Sequence, residues 1–194
     1  MYSTLTIYNL ALSRLGGNEL SSISSVGEES RLATLCNTFF PHVRDMALSS
    51  HTWGFAMTET DLGLAKENER MEEGQFAHVY QLPMDCLKPI RLMGGGAHHQ
   101  IPFVIRGRFL CCDEANARLQ YVFRAQDPTV WPAYFADIVV WGLAAELSTA
   151  YVNDVSRQKF CLECQKSALE RGIIADAVSM QPKKAPCVWD MARG

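Results

Sequence analysis

The chain lacks the basic clusters by which proteins grip nucleic acid. Its 194 residues carry 18 Lys and Arg against 21 Asp and Glu, which gives a formal net charge of −3. A protein that binds DNA by neutralising phosphates normally shows a basic patch. The sequence therefore excludes a protein that holds DNA by binding the DNA phosphates. A protein that forms a neutral or acidic wall along which DNA passes remains compatible with this composition.

Hydrolase signatures are also missing, since the sequence contains neither GxSxG nor HExxH. Asp85 and Asp113 lie at strand ends and are the acids that a hydrolase could use, but acids also simply terminate strands. No pair of carboxylates is marked by spacing as catalytic, so we expect no enzymatic activity and no catalytic residue.

Metal and cofactor motifs are weak. Cys161-x-x-Cys164 places two thiols on one side of a helix, but no second CxxC supplies the other ligands of a zinc site. Cys111-Cys112 point to opposite faces of a strand. His98-His99 follow three glycines without the Lys-Ser/Thr of a phosphate loop. We expect no metal and no cofactor.

The N-terminal segment has no basic residue before its apolar part and no small-residue cleavage site, so we expect no signal peptide. The seven cysteines are an odd number without a disulfide spacing. This pattern favours a reducing compartment, in which the thiols behave as small buried hydrophobic groups.

The most apolar run, DPTVWPAYFADIVVWGLAAELSTAYV, spans residues 127–152. Asp137 and Glu146 lie nine residues apart, about 900° along a helix, so they point to opposite sides. Lipid would meet one of the two acids in any orientation, which excludes a membrane span. A helix that is apolar over most of its circumference is instead central to a bundle or pressed between subunits.

Helical periodicity predicts four helices. Ser3 or Thr4 begins the first helix, and Gly16-Gly17 ends it. The second helix starts near Glu28-Glu29 and ends near Ser50, with a kink or break at Pro41. The third follows Pro132, and the fourth runs from Asn153 or Asp154 to about Asp176. The candidate inward residues of this fourth helix are Phe160, Cys161, Cys164, Ala168 and Leu169.

Between the second and third helices, short β-like runs alternate with turn residues. The runs are Phe55–Leu62, Pro89–Met93, Pro102–Arg106, Arg108–Cys112 and Arg118–Phe123, with a two-residue turn at Arg106-Gly107. They predict an antiparallel meander of four or five strands.

The predicted fold class is therefore α+β, a bundle of about four helices with an antiparallel β-meander inserted between helices 2 and 3. Residues 1–56 and 125–176 form one helical domain, residues 57–124 form the inserted β-rich subdomain, and residues 177–194 form an extended tail. The charged run KENERMEEG at residues 66–74 is interpreted as an exposed arm.

Six segments resemble one family in their order and spacing. They are IYNLALSRLGG, EESRLATLCNTFFPHVRDMALSSHTWGFA, YQLPMDCLKPIRL, PFVIRGRFLCCD, YVFRAQDPTVWPAYFADIVVWGLAAELS and VWDMARG. Together they are similar to the head-to-tail adaptor proteins of tailed bacteriophages, the group that includes the tail tubular protein A of podoviruses and related head-completion proteins. The resemblance covers nearly the whole chain. Cys111 and Cys112 stand where this family more often has aliphatic residues, which favours a packing role for both thiols.

The resemblance implies a virion structural protein that binds beneath the portal as a homo-oligomeric ring of twelve copies. Such a ring extends the channel for double-stranded DNA and offers a docking surface to the tail or nozzle protein. It implies location in the neck of the virion, with assembly in the host cytoplasm.

On this basis we expect three sets of protein-binding residues. The portal set lies in the tail and consists of Lys183, Lys184, Pro186, Val188, Trp189, Met191 and Arg193. The set that meets the tail protein or a neighbouring subunit consists of Lys66, Glu67, Glu69, Arg70, Glu72 and Glu73. The subunit-interface set consists of Trp131, Asp137, Trp141 and Glu146. A tail-associated cell-wall hydrolase and a host cytosolic binding module remain the alternatives.

Overall fold

A computed structural model describes residues 1–16, 22–65, 76–93 and 101–180. Its order of elements confirms the α+β class with four helices and an antiparallel β region inserted between α2 and α3. The helices are α1 (Thr4–Arg14), α2 (Arg31–Ser50), α3 (Ala133–Ala150) and α4 (Val155–Ser179). The strands are β1 (Met57–Asp61), β2 (His78–Gln81), β3 (Cys86–Met93), β4 (Val104–Arg106), β5 (Phe109–Cys112) and β6 (Arg118–Phe123).

Side-chain caps fix where three of the helices begin. Ser3 accepts a hydrogen bond from the Thr6 amide at 3.1 Å, and Asp154 accepts one from the Arg157 amide at 3.0 Å. Ser30 does the same for the Ala33 amide, so α2 begins at Arg31 and not near Glu28-Glu29. Such caps satisfy amides that have no partner within the helix.

The predicted ends and interruptions of the helices need two corrections. α2 continues through Pro41 without a break, because the buried side chains of Phe40 and Val43 hold the helix against the core on both sides of it. α4 runs on to Ser179, beyond the expected end near Asp176.

The short turn expected before α3 is a 3₁₀ helix at Pro128–Val130, capped by Asp127. The Asp127 carboxylate accepts the Thr129 amide at 2.9 Å and the Thr129 hydroxyl at 2.7 Å. These hydrogen bonds hold the pKa of Asp127 below its usual range. The cap at Asp127 and the proline at residue 132, both visible in the sequence, therefore place the start of α3 after Pro132.

The strands form two three-stranded antiparallel sheets, with strand orders β1-β6-β3 and β2-β5-β4. β6 is central because it pairs with both β1 and β3. The first and last strands of the inserted region are thus neighbours, so the chain leaves and re-enters the helical part at one place. Pro89 lies in β3, an edge strand with a register shift beside it, where a missing amide is tolerated.

The predicted hairpin between β4 and β5 is present, but its two-residue turn is Gly107-Arg108 and not Arg106-Gly107, because Arg106 pairs with Phe109. Gly107 has a φ of +62°, a left-handed conformation that glycine adopts without a steric penalty. The sequence did not predict β2, a strand of only four residues that pairs with β5.

Buried side chains form two clusters. The larger lies among the helices and includes Trp53, Trp131 and Phe135, and the smaller lies between the sheets around Tyr80, Leu92 and Leu110. β6 contributes side chains to both clusters, since Val122 belongs to the cluster among the helices and Tyr121 belongs to the cluster between the sheets. Alternate residues of a strand point to opposite faces, which allows one strand to join the two regions.

The apolar helix α3 contacts α1, α2 and α4. Most of its side chains are buried, including Phe135, Ile138, Val139 and Leu143. Its apolar breadth is therefore largely accounted for by packing within the chain. No helix in the described ranges is both long and apolar enough to span a bilayer, in agreement with the sequence argument.

Candidate interaction surfaces

Trp131, one of the expected subunit-interface residues, lies in the core with only 5% of its surface exposed. Its ring stacks on Phe40 and meets Phe135 edge-on. Its indole N–H donates to the Ala125 carbonyl at 3.0 Å. The ring and the N–H of Trp131 thus have their partners within the chain, which leaves little of its surface for the predicted contact with a second subunit.

Asp137 and Trp141 share the exposed side of α3. They are four residues apart, about 40° around the helix axis. Asp137 lies 3.7 Å from Arg14 of α1 and 3.7 Å from Arg171 of α4. Trp141 is half-buried beneath the Arg14 guanidinium, whose Cζ is 4.7 Å from the ring centroid. These two predicted residues therefore lie together at the junction of three helices.

Glu146 lies apart from this pair. Five residues separate it from Trp141, about 140° around the helix, and its side chain is half-buried. The structure thus divides the four expected interface residues into one buried tryptophan, one acid on a different face, and one pair, Asp137 and Trp141.

Phe160 belongs beside this pair, although the sequence analysis placed it inward. It is 56% exposed and meets the Trp141 ring edge-on, with centroids 6.1 Å apart. Cys161 and Ala168 take the inward positions of α4 instead. An open groove of about 440 Å³ runs along this part of α4, lined by Trp141, Phe160, Glu163, Cys164, Ser167 and Arg171.

We name the group formed by Arg14, Asp137, Trp141, Phe160 and Arg171 the arginine–aromatic surface. Arg14, Phe160 and Arg171 were missed by the sequence reasoning. No local pattern marks them as a group, although Phe160, Ser167 and Ile174 recur every seven residues along one side of α4. Ile174 is likewise exposed, so this side of α4 carries an exposed apolar side chain at both ends.

A second exposed cleft lies at the edge of the β region. Residues 60–64 and 81–84 line a volume of about 330 Å³. Leu64 and Met84 are exposed here, and Asp61 is almost fully so. We name the group formed by Glu59, Asp61, Leu64, Met84 and Arg118 the acidic cleft.

The two acids considered for catalysis each have a structural partner. Asp85 accepts a hydrogen bond from the Tyr121 hydroxyl at 3.2 Å, and Asp113 accepts the Ala77 amide at 3.0 Å. Burial, and then the Asp85 charge, raises the pKa of Tyr121 to about 12. Both acids are thereby explained as groups that fix the ends of strands.

The two thiols of the CxxC motif differ in their surroundings, since Cys164 is half-buried and lines the groove beside Trp141. Cys161 is buried and lies 3.8 Å from the Ser148 hydroxyl, and burial raises its pKa. Cys112 is also buried, and burial raises its pKa too. Among the residues that the structure describes, no three His, Cys, Asp or Glu side chains are grouped to hold a metal ion.

The expected portal set, the expected set in the 66–74 arm, and His98-His99 all lie outside the described residues. They stay predictions from the sequence. Comparison of the chain with known proteins found no matching family model and no matching curated protein.

Proposed function

We propose that this chain is a virion structural protein, a head-to-tail adaptor that binds beneath a phage portal as a ring. The proposal starts from the six segments whose order and spacing resemble that family across nearly the whole chain. In this role the protein catalyses no reaction. It extends the DNA channel and presents a docking surface for the tail or nozzle protein, in the neck of the virion after assembly in the host cytoplasm.

The observation that best supports the proposal is the contact of the half-buried Trp141 with the exposed Phe160, beside Arg14 and Arg171. Aromatic and arginine side chains dominate the binding energy of protein interfaces. Three helices hold this surface in place, and rigid elements position contact residues better than loops do. Such a surface fits a protein whose work is to bind other subunits.

The charge of the chain fits a channel through which DNA slides. With a net charge of −3, it offers DNA no sequence-independent attraction over its whole surface. We therefore propose that double-stranded DNA passes through the ring without specific contacts.

The segment at residues 182–194 is proposed to bind the portal, with Trp189 as the apolar anchor and Lys183, Lys184 and Arg193 as charged contacts. The charged run at residues 66–74 is proposed to meet the tail protein or a neighbouring subunit.

The direct test mixes the purified chain with the portal ring encoded by the same genome and measures mass and rotational symmetry by electron cryomicroscopy. The expected result is a complex with a closed ring of adaptor subunits, twelve in number. A chain that stays monomeric and unbound at every ratio to the portal contradicts the proposal.

Two variants sharpen this test. Deletion of residues 182–194 should abolish binding to the portal while the circular dichroism spectrum and unfolding midpoint are retained. Replacement of Trp189 alone by Ala should weaken binding, and replacement of the exposed Met46 by Ala provides a matched control outside the proposed contact. Full binding by the deletion variant would remove residues 182–194 from the interface.

The hydrolase alternative has no observation in its favour, since Asp85 and Asp113 are both engaged in structural hydrogen bonds. Cell-wall lysis by the purified chain that is lost in the Asp85→Asn, Asp113→Asn double variant would revive that alternative. A monomer without affinity for the portal would instead favour the cytosolic binding module.

A further inference from the structure

The exposed side of α4 carries a continuous stripe of side chains that starts at the arginine–aromatic surface and runs to the end of the helix. Its members recur at alternating intervals of four and three residues, which places them on one face of the helix. They are Phe160, Cys164, Ser167, Arg171, Ile174 and Val178. Phe160, Ile174 and Val178 are each more than half exposed. The stripe is about 27 Å long, so a segment of polypeptide fits it better than a small ligand does.

The charges beside the stripe balance one another. Its basic neighbours are Arg14, Lys166 and Arg171, and its acidic neighbours are Asp137, Glu163 and Glu170. Net charge therefore selects no occupant. The distribution is uneven, because Asp137 lies 3.7 Å from each arginine, whereas neither glutamate forms an ion pair with the described residues. Both glutamates are exposed at the outer edge of the stripe, where each can accept a basic side chain.

The part of the chain that follows the stripe is residues 181–194, since Met180 caps the last turn of α4. Pro182 comes two residues after this cap, a position typical of a proline that follows the end of a helix. Trp189 stands nine residues beyond Met180, and nine extended residues span at most about 30 Å. Cys164, which lines the groove, lies about 24 Å back from Met180 along the helix axis. The segment is therefore long enough for Trp189 to reach the groove.

We propose that residues 182–194 fold back along α4 of the same chain and place Trp189 in the groove beside Trp141. The indole of Trp189 packs against the exposed ring of Phe160. The Arg171 guanidinium, on a side chain that is 68% exposed, lies over the face of this indole. The segment thereby covers the apolar side chains of the stripe.

In this register the rest of the segment matches the stripe. Lys183 and Lys184 run beside Glu170 at the outer edge. The segment has three Lys and Arg residues against one Asp, and the two glutamates at the edge carry the opposite sign. Cys187 comes level with Cys164, since both lie close to the groove when the segment is extended.

The covalent link favours this occupant over a second copy or an unrelated protein. A segment that is tethered by a short linker meets its site at an effective concentration in the millimolar range. A contact too weak to form between separate molecules is therefore populated within one chain. Such a contact adds little to the stability of the fold, and a partner with higher affinity for the segment opens it.

The inference bears on the proposed function through residues 182–194, which are also the segment proposed to bind the portal. In the free chain their apolar anchor is covered by α4, and the portal has to displace this contact before the complex forms. Only this consequence rests on the proposed function, because the contact with α4 needs no portal.

Disulfide trapping in the full chain tests the contact, since the register brings the thiols of Cys164 and Cys187 together. Diamide is the oxidant, and it takes up two electrons and two protons as two thiols form one disulfide. Tandem mass spectrometry of tryptic peptides identifies the linked cysteines and separates Cys164 from Cys161. The link between Cys164 and Cys187 should form at least about tenfold faster than a link between Cys187 and Cys86, a half-buried thiol of the β region. Its rate should stay constant when the protein is diluted about tenfold.

Substitutions in the groove and in the segment show what holds the two together. Phe160→Glu should slow the link about tenfold, because it removes an apolar wall of the groove. Leu162→Glu adds the same charge at an exposed apolar position of α4 outside the stripe and should leave the rate unchanged. Trp189→Ala should slow the link as much as Phe160→Glu does. Circular dichroism verifies that each variant is folded.

Deletion of residues 182–194 provides a measurement without oxidation. It should raise severalfold the rate at which iodoacetamide alkylates Cys164, because the segment no longer covers this thiol. The rate at Cys86 should stay the same, which controls for a general change in the reactivity of the chain.

Four results would overturn the inference. They are equal rates for the links from Cys187 to Cys164 and to Cys86, a Cys164 link that slows on dilution, Phe160 and Trp189 variants that link like the wild type, and unchanged alkylation of Cys164 in the deletion variant. The second result would place the segment on a second copy.

Binding to the portal is measured separately. A chain that forms the link within one molecule and never binds a portal would refute the proposed function and leave this contact standing. A chain that binds the portal as a ring but forms no such link would do the reverse.

Discussion

The hydroxyl of Tyr134 donates a hydrogen bond to the carboxylate of Asp176 over 2.7 Å and so joins α3 to the last turns of α4. The same carboxylate accepts the Gly54 amide at 3.0 Å, and His51 lies 3.7 Å away. Asp176 is only 1% exposed. A buried carboxylate is tolerated only when donors surround it, so this group fixes where α4 ends relative to the junction of α2 and β1.

Asp176→Ala should lower the free energy of unfolding by about 2–4 kcal/mol, because it leaves the Gly54 amide and the Tyr134 hydroxyl without their acceptor. Urea denaturation followed by circular dichroism measures this loss. Glu170→Ala, an exposed position on the same helix, should change stability little. Equal stabilities of the two variants would mean that the buried carboxylate adds nothing to the fold.

Gly142→Ala should destabilise the helical core by about 1–3 kcal/mol, because α3 approaches its neighbours closely at this position. An added Cβ would lie 2.5 Å from the Gln165 side chain of α4 and 2.7 Å from Val43 of α2. Thermal unfolding measures the effect. Gly63→Ala is the matched control, since an added Cβ there meets nothing within 4 Å. The Val43→Ala change should relieve part of the strain in the double variant, and strictly additive losses would argue against a steric cause.

The carboxylate of Asp45 should hold the helical region to the β region. It lies 2.8 Å from Arg44 Nη2 on α2 and 3.0 Å from the Nε of Arg124, which follows β6. Arg44 is buried, so Asp45→Asn should cost about 1–3 kcal/mol by leaving its guanidinium without a counter-charge.

A double-mutant cycle between Asp45→Asn and Arg124→Gln, measured by urea denaturation, isolates the contact that crosses the two regions. Arg124 is partly exposed, so water screens its charge and its coupling energy should be the smaller part of the loss. A coupling energy of zero would show that Arg124 contributes only its backbone bond to Asp85.

Tyrosine ionisation should destabilise the fold in alkali. Burial raises the pKa of Tyr8, Tyr121 and Tyr134 to about 12, and the Asp85 and Asp176 charges add to the effect at the last two. In the unfolded chain these hydroxyls lose their protons near pH 10. The folded state therefore binds more protons between about pH 10 and pH 12. The stability that these tyrosines contribute is complete below about pH 10 and is lost as pH rises through this window.

Parallel titrations of tyrosinate absorbance and of the unfolding free energy test this expectation. Tyr8→Phe serves as the comparison, since it keeps the ring packed against Phe40 and removes the hydroxyl that donates to Asn37. The variant should lose stability less steeply with pH above about pH 10. Ionisation of all six tyrosines at their ordinary pKa in the folded protein would contradict the proposed burial.

Local signals in the sequence predicted many of the elements. Ser3 and Asp154 were recognisable as caps, and Gly107 as part of a hairpin turn, because each acts on amides or dihedral angles within a few residues. The break considered at Pro41 was also predicted from a local signal, and α2 continues through this residue. Its local preference to break a helix is outweighed by the tertiary contacts of Phe40 and Val43. β2 was missed because four residues are too few to display a period.

The candidate surfaces were harder to read from the sequence. Trp131 and Trp141 are both tryptophans near the apolar run, yet the first is enclosed by Phe40 and Phe135 and the second lies at the surface beneath Arg14. Phe160 has a large apolar side chain of the kind usually found in a core, yet it lies on an exposed face of α4. No local pattern distinguishes these cases, because each depends on side chains distant in sequence.

The sequence by itself determined the class of the fold, the capped starts of α1 and α4 and the presence of the hairpin, and it excluded a membrane span through the opposed acids Asp137 and Glu146. Periodicity, capping and turn preference act over a few residues, so they can be read along the chain. Only the tertiary structure decided which face of each helix stays exposed, and it brought Arg14, Trp141, Phe160 and Arg171 together from three helices. That choice depends on how the helices pack, because burial is a property of distant segments in contact and not of any one segment.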